Sequence, residues 1–169
     1  VVTDNYVPIV FVHGLYGCGD SYTQLIQYFR ANGYPESKLF TYDWNTLDFQ
    51  NAPKNTKSFA VTVYDPDAPT GSGWWHWLAY NIPTQTTSLE AGAGAVDSKL
   101  LPAGTVQGRT DFGNNAFGGA CPPVGDKPHR YIFTIHALNT DKIELPTDAS
   151  AAMIGYMLNA HRIAKASFT

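Results

Sequence analysis

The chain has 169 residues and a formal net charge of −3, with 44 % hydrophobic and 14 % aromatic residues against 15 % charged. That balance suits one ordered domain with a sizeable core and excludes a disordered chain. It also excludes a general nucleic-acid binder, because no basic run is present to neutralise a phosphate backbone. A local anion site remains compatible with the charge. The longest apolar stretches fall well short of the ~20 residues of a membrane span, so no transmembrane segment is expected. No basic n-region or signal core precedes Val1, which leaves a cytoplasmic chain or a periplasmic or secreted one after processing. The cysteines, Cys18 and Cys121, read as free thiols or one bridge, and neither has metal-ligand spacing. No metal and no cofactor is expected.

Residues 1–5 read as a lead-in. Val7-Pro8-Ile9-Val10-Phe11-Val12 is a short, continuous apolar run and predicts a strand buried on both faces. It enters the glycine-rich loop His13-Gly14-Leu15-Tyr16-Gly17-Cys18-Gly19. Asp20 or Ser21 then caps a helix to about residue 31, with Tyr22, Leu25, Ile26 and Phe29 on one face. Asn32-Gly33-Tyr34-Pro35 stops it, and Lys38-Leu39-Phe40-Thr41-Tyr42-Asp43-Trp44 predicts a second strand. Such a β-α-β unit normally makes a parallel pair.

From Leu47 onward strand signals dominate, divided by loops of Gly, Pro, Asn and Asp. Residues 59–64, 77–82 and 131–138 predict strands, with a weaker one at 105–109. Residues 89–102 and 111–128 read as irregular connections of the kind that carry function. A late helix is expected from Asp148 as N-cap to about residue 165, with Met153, Ile154, Met157, Leu158 and Ile163 on its apolar side. The fold class is mainly β with α.

The chemistry concentrates in Tyr64-Asp65-Pro66-Asp67-Ala68-Pro69-Thr70-Gly71-Ser72-Gly73-Trp74-Trp75-His76-Trp77. Strand side chains two apart share a face, so Asp65 and Asp67 are expected to point the same way. Pro66 cannot donate to a ladder, so the strand ends or runs at an edge there. Gly71-Ser72-Gly73 turns the chain back. Two acids and His76 then converge at one end of a sheet, walled by tryptophan. Carboxylates nearby would raise the pKa of His76, and burial would oppose them. An imidazolium with a tyrosine hydroxyl can donate to phosphate oxygens, while carboxylates receive an ammonium. The competing reading is that Asp65 and Asp67 satisfy loop N–H groups and His76 packs among indoles. Arg130 is expected to pair with an acidic loop residue, His136 to be structural, and His161 to lie on the solvated face of the last helix.

The N-terminal residues resemble the start of α/β-hydrolase lipases, where an apolar strand runs into His-Gly and the following loop gives an N–H to the oxyanion hole. No serine here has the Gly-x-Ser-x-Gly elbow that such an enzyme needs. The later residues carry a second likeness, in Leu47-x-Phe49-x-x-x-Pro53, Asp65-Pro66-Asp67-Ala68-Pro69, Trp74-Trp75-His76-Trp77 and Asn81-Ile82-Pro83. Arg109-Thr110-Asp111-Phe112-Gly113, Gly119-Ala120-Cys121-Pro122-Pro123 and His129-Arg130-Tyr131 continue it in order. These boxes resemble the phosphatidylethanolamine-binding protein family, in particular its bacterial branch, relatives of the Raf kinase inhibitor protein.

The resemblance implies a β-rich fold with a small anion pocket at one end of a large sheet. It assigns the pocket to Asp65, Asp67, His76, His129 and Tyr131, with Trp74, Gly119, Cys121 and Pro123 at the rim. It implies a non-enzymatic domain that binds phosphate or phosphoethanolamine head groups and inhibits kinases or other proteins. Residues 1–46 then form a lipase-like segment and 47–169 the binding domain, in one compact unit, with recombination of two segments as their origin. A chimera with no selected function and an esterase are the alternatives. Replacing the family's own first strands would leave a sheet edge uncovered and favour a homodimer.

Overall fold

In a computed structural model of the chain, residues 9–12, 31, 39–42, 46–49 and 51–169 are described. Strand β1 (Ile9–Val12) pairs in parallel with β2 (Leu39–Tyr42). The expected His13-Gly14 loop, the caps Asp20 and Ser21 and Cys18 lie outside the described residues. Strand β3 (Thr46–Asp48) pairs antiparallel with β6 (Ser88–Glu90). The main sheet is antiparallel, in the order β7-β5-β4-β8-β9, from β4 (Ser58–Asp65), β5 (Trp74–Pro83), β7 (Val106–Gln107), β8 (Ile132–Leu138) and β9 (Arg162–Phe168).

Strand β4 is central because both its faces are apolar or small. Phe59, Val61 and Val63 join Trp77, Ala79, Ile82, Leu89 and Phe117 on one face. Ala60 joins Leu78, Tyr80, Leu138 and Ile143 on the other, beneath helix α1 (Ala151–His161), which contributes Ile154 and Leu158. Period-2 alternation sorts the two sets, and their burial drives the sheet together.

Strand β5 departs from that period twice. Val63 faces Trp77 while Tyr64 faces Trp75, so β5 has an extra residue at His76. Phe59 faces Ile82 while Val61 faces Ala79, so it has another near Asn81, whose φ is 60°. An extra residue of this kind bends a strand and re-aims its side chains. Trp75 and Trp77, two apart, accordingly pack in different cores.

The late helix is shorter than the sequence predicts. Ser150, not Asp148, is the N-cap, its side chain accepting from Met153 N, and the helix ends at His161. Residues 162–168 leave it to pair with β8, and Phe168 stacks on Phe133 at 5.0 Å. Ile163 has helical spacing, but a row of ladder hydrogen bonds to the open side of β8 outweighs local helix preference. His161 is half-buried at the helix end, its Nδ1 3.2 Å from Asn139 Oδ1. Among the described residues no helix is long and apolar enough to cross a membrane.

Candidate functional site

Asp65 closes β4 and is 2 % exposed. Its Oδ1 accepts the N–H groups of Asp67 at 2.8 Å and Ala68 at 3.1 Å, which turns the chain out of the strand. Strand alternation therefore stops at Asp65, and Asp67 does not share its surroundings. Asp67 instead grips Arg130 through Nε, Nη2 and the backbone N–H, each at 2.8 Å. This fork is the acidic loop partner expected for Arg130, and it holds the Asp67 carboxyl down at a pKa of about 2. The pair also fixes the segment that carries His129 and Tyr131.

The other oxygen of Asp65 gathers two imidazoles. His129 Nδ1 donates to Oδ2 at 2.8 Å, and His76 Nε2 lies 4.0 Å from the same atom. The His129 side chain is only 4 % exposed, and its Nε2 faces Asp126 Oδ2 at 3.5 Å. The Asp65 hydrogen bond raises the His129 pKa, burial opposes it, and the charges of Asp65 and Asp126 add to the rise.

His76 behaves in the opposite way. The bulge aims its ring at the Gly118 carbonyl, to which Nδ1 donates at 2.8 Å, while its own carbonyl accepts Gly118 N at 2.9 Å. Burial lowers its pKa, against the pull of the Gly118 backbone and Asp65. A neutral ring that spends Nδ1–H on a carbonyl presents a bare Nε2. The His76 ring is held edge-on between Phe112 and Tyr131, with both centroids at 5.2 Å. Tyr131 also lies 6.4 Å from the His129 ring.

The structure thus unites Asp65, His76, His129 and Tyr131. Trp74 is half-buried at the edge, 5.3 Å from Phe112, and its Nε1 is buried without a hydrogen-bond partner among the described residues. Gly119 is half-buried, and Cys121 and Pro123 are exposed. Sequence reasoning passed over Phe112 and Asp126 as site residues. Phe112 is half-exposed in an irregular loop with no periodicity, and Asp126 follows Gly125 like an ordinary turn residue. Their closeness to His76 and His129 depends on the fold of the 108–131 connection.

His136 is structural, as expected. It is buried on β8, with Nε2 3.0 Å from Thr62 Oγ1, and burial together with Arg162 and Lys165 drives its pKa to about 4. A cleft of about 500 Å³ elsewhere is lined by Tyr80, Val106, Arg109, Lys142, Glu144 and Ile154. Lys142 and Glu144 there neutralise each other at 3.1 Å, and it has no convergence like that on Asp65. Among the described residues no group of His, Cys, Asp and Glu is placed to hold a metal.

Comparison with known proteins places this geometry in context. The family model for the phosphatidylethanolamine-binding protein matches residues 28–169. The UPF0098 protein YbcL of Escherichia coli K12 is 59 % identical over 124 residues, 73 % of this chain and 68 % of that protein. A UPF0098 protein of Aquifex aeolicus is 34 % identical over 158 residues, 90 % of this chain and 89 % of its own. The crystal structure of E. coli YbcL, described as a new member of the mammalian PEBP family, superposes with a TM-score of 0.71 at 58 % identity, covering 73 % of this chain and 75 % of that one. With that family model spanning most of its length, the chain belongs to the phosphatidylethanolamine-binding protein family.

Proposed function

We propose that the chain is a non-enzymatic binding domain that takes phosphate or a phosphoethanolamine head group at Asp65, His76, His129 and Tyr131. The observation that carries this reading is one buried carboxylate oxygen with two imidazoles around it, 2.8 and 4.0 Å away. An imidazolium at His129 and the Tyr131 hydroxyl supply donors for phosphate oxygens, and the carboxylates suit an ammonium. Asp67 serves by anchoring Arg130, while Trp74, Gly119, Cys121 and Pro123 form the rim. Exposed residues at the rim, with Phe112 beside them, offer a face to a protein partner such as a kinase.

An esterase reading is disfavoured by the missing Gly-x-Ser-x-Gly elbow. Residues 1–46 are kept as a lipase-like segment packed with 47–169 in one compact unit. The parallel pairing of β1 with β2 supports that reading, and the family match reaching back to residue 28 limits it. A chimera without a selected function is the second reading, and it predicts a folded protein with an inert pocket.

Titration with O-phosphoethanolamine, followed by NMR of the His and Tyr side chains, separates the two. Saturable shifts at His76, His129 and Tyr131 are expected. Unmoved resonances at millimolar ligand, in a protein with dispersed spectra, would sink the binding reading.

A further inference from the structure

We propose that Asp126 is a built-in competitor for the ligand anion, occupying the outer nitrogen of His129 until a phosphate group displaces it. This rests on the binding function above. His129 Nδ1 is committed to buried Asp65 at 2.8 Å. An incoming anion therefore has only Nε2 to address on this ring. That nitrogen already faces the Asp126 carboxylate at 3.5 Å.

The hold is built to be loose. At 3.5 Å the contact is an ion pair rather than a short hydrogen bond, and the Asp126 side chain is 35 % exposed. Partly exposed pairs of this kind are weak. Residues 121–128 are all exposed, and Gly125 has φ 96° with open space where a Cβ would stand. The Asp126 N–H closes the turn onto Pro123 O at 3.1 Å, so backbone geometry rather than side-chain packing shapes the loop. The carboxylate can swing out without unpacking any core residue.

A phosphate and a carboxylate cannot hold the same N–H, and their like charges repel at such range. Apparent affinity for the anion is then the intrinsic affinity scaled by the fraction of molecules with Asp126 withdrawn. Asp126 adds to the rise in the His129 pKa, which favours the charged donor while the site is empty. Asp126 thus also sets how strong an anion must be to take that donor.

The test compares wild type, Asp126→Asn and Asp141→Asn in separate titrations with inorganic phosphate and O-phosphoethanolamine. Asp141 is an exposed acid paired with Lys57 beside the start of β4, the end remote from Asp65, so its variant makes the same charge change away from the site. Binding is read from the His129 ring resonances at about pH 6, where the ring is protonated. Asp126→Asn is expected to tighten phosphate by about two- to five-fold, the scale of a partly exposed ion pair, with Asp141→Asn unchanged. Wild-type binding with no tightening in Asp126→Asn, or with equal tightening in both variants, overturns the competitor and leaves the binding function standing. A wild type that binds neither compound removes the binding function and the competitor with it.

Discussion

Asp65 and His129, 64 residues apart in the chain, meet Oδ2 to Nδ1 at 2.8 Å where β4 ends. One pairing thereby ties the central strand to the long irregular connection before β8. Its partners are unlike in a useful way, since His129 is driven toward the charged form and His76 toward the neutral one. Environments that push like groups apart are a mark of functional sites.

His129 gives the first prediction. Its folded pKa lies above the ordinary 6.5, so the folded state binds the extra proton. The stabilisation is full below the unfolded value and is lost as pH rises through the folded one. Urea midpoints should fall on that alkaline limb in the wild type, and His129→Asn should flatten it.

The opposite limb belongs to His136. Its folded pKa is about 4 against an ordinary 6.5, so the unfolded state takes the proton first as pH falls. Stability is present above 6.5 and erodes down to about 4, by up to roughly 3 kcal/mol. His136→Gln should remove most of that acid sensitivity, read from urea midpoints at pH values across the window, even though Thr62 loses a partner.

Two aspartates close together should respond very differently to substitution. Asp65→Ala strips a buried carboxylate from His129 and two backbone N–H groups, and a loss on the order of 3 kcal/mol or more is expected. Asp67→Ala removes an exposed pair with Arg130, and its smaller loss appears only above the acid range where the carboxyl titrates, near 2. Thermal unfolding of both variants at neutral pH should rank them in that order.

Gly73→Ala should destabilise by more than about 1 kcal/mol, measured by chemical denaturation. Gly73 has φ 69°, and a Cβ there would run into the Tyr64 hydroxyl and lie 2.6 Å from the Asp65 carbonyl. The turn that delivers Trp74 to the site has room for hydrogen only.

Much of this was visible in the residues. The run Phe59-Ala60-Val61-Thr62-Val63 marked β4 because a strand buried on both faces reads as a short, nearly continuous apolar stretch. The Asp65, His76, His129 and Tyr131 set came from boxes in family order, and the structure brings those four together. Asp67 was misread because spacing of two implies a shared face only while the strand lasts, and the Asp65 carboxylate ends it. The bulge at His76 leaves no mark, since Trp74-Trp75-His76-Trp77 reads equally well with strict alternation. Strand β9 was hidden because Ile163 sits at a helical spacing and its real partner, β8, lies far back in the chain.

That last strand has a consequence for how the protein is made. During synthesis β8 and its neighbours leave the ribosome before residues 162–168 do, so for a time the sheet carries a bare flank. Seven residues at the far side of a helix then cover it. Until they arrive, a nascent chain presents the same unpaired backbone that drives strands of separate molecules to join. Helix α1 is thus also a tether, keeping the covering strand at high local concentration beside the flank it must reach first.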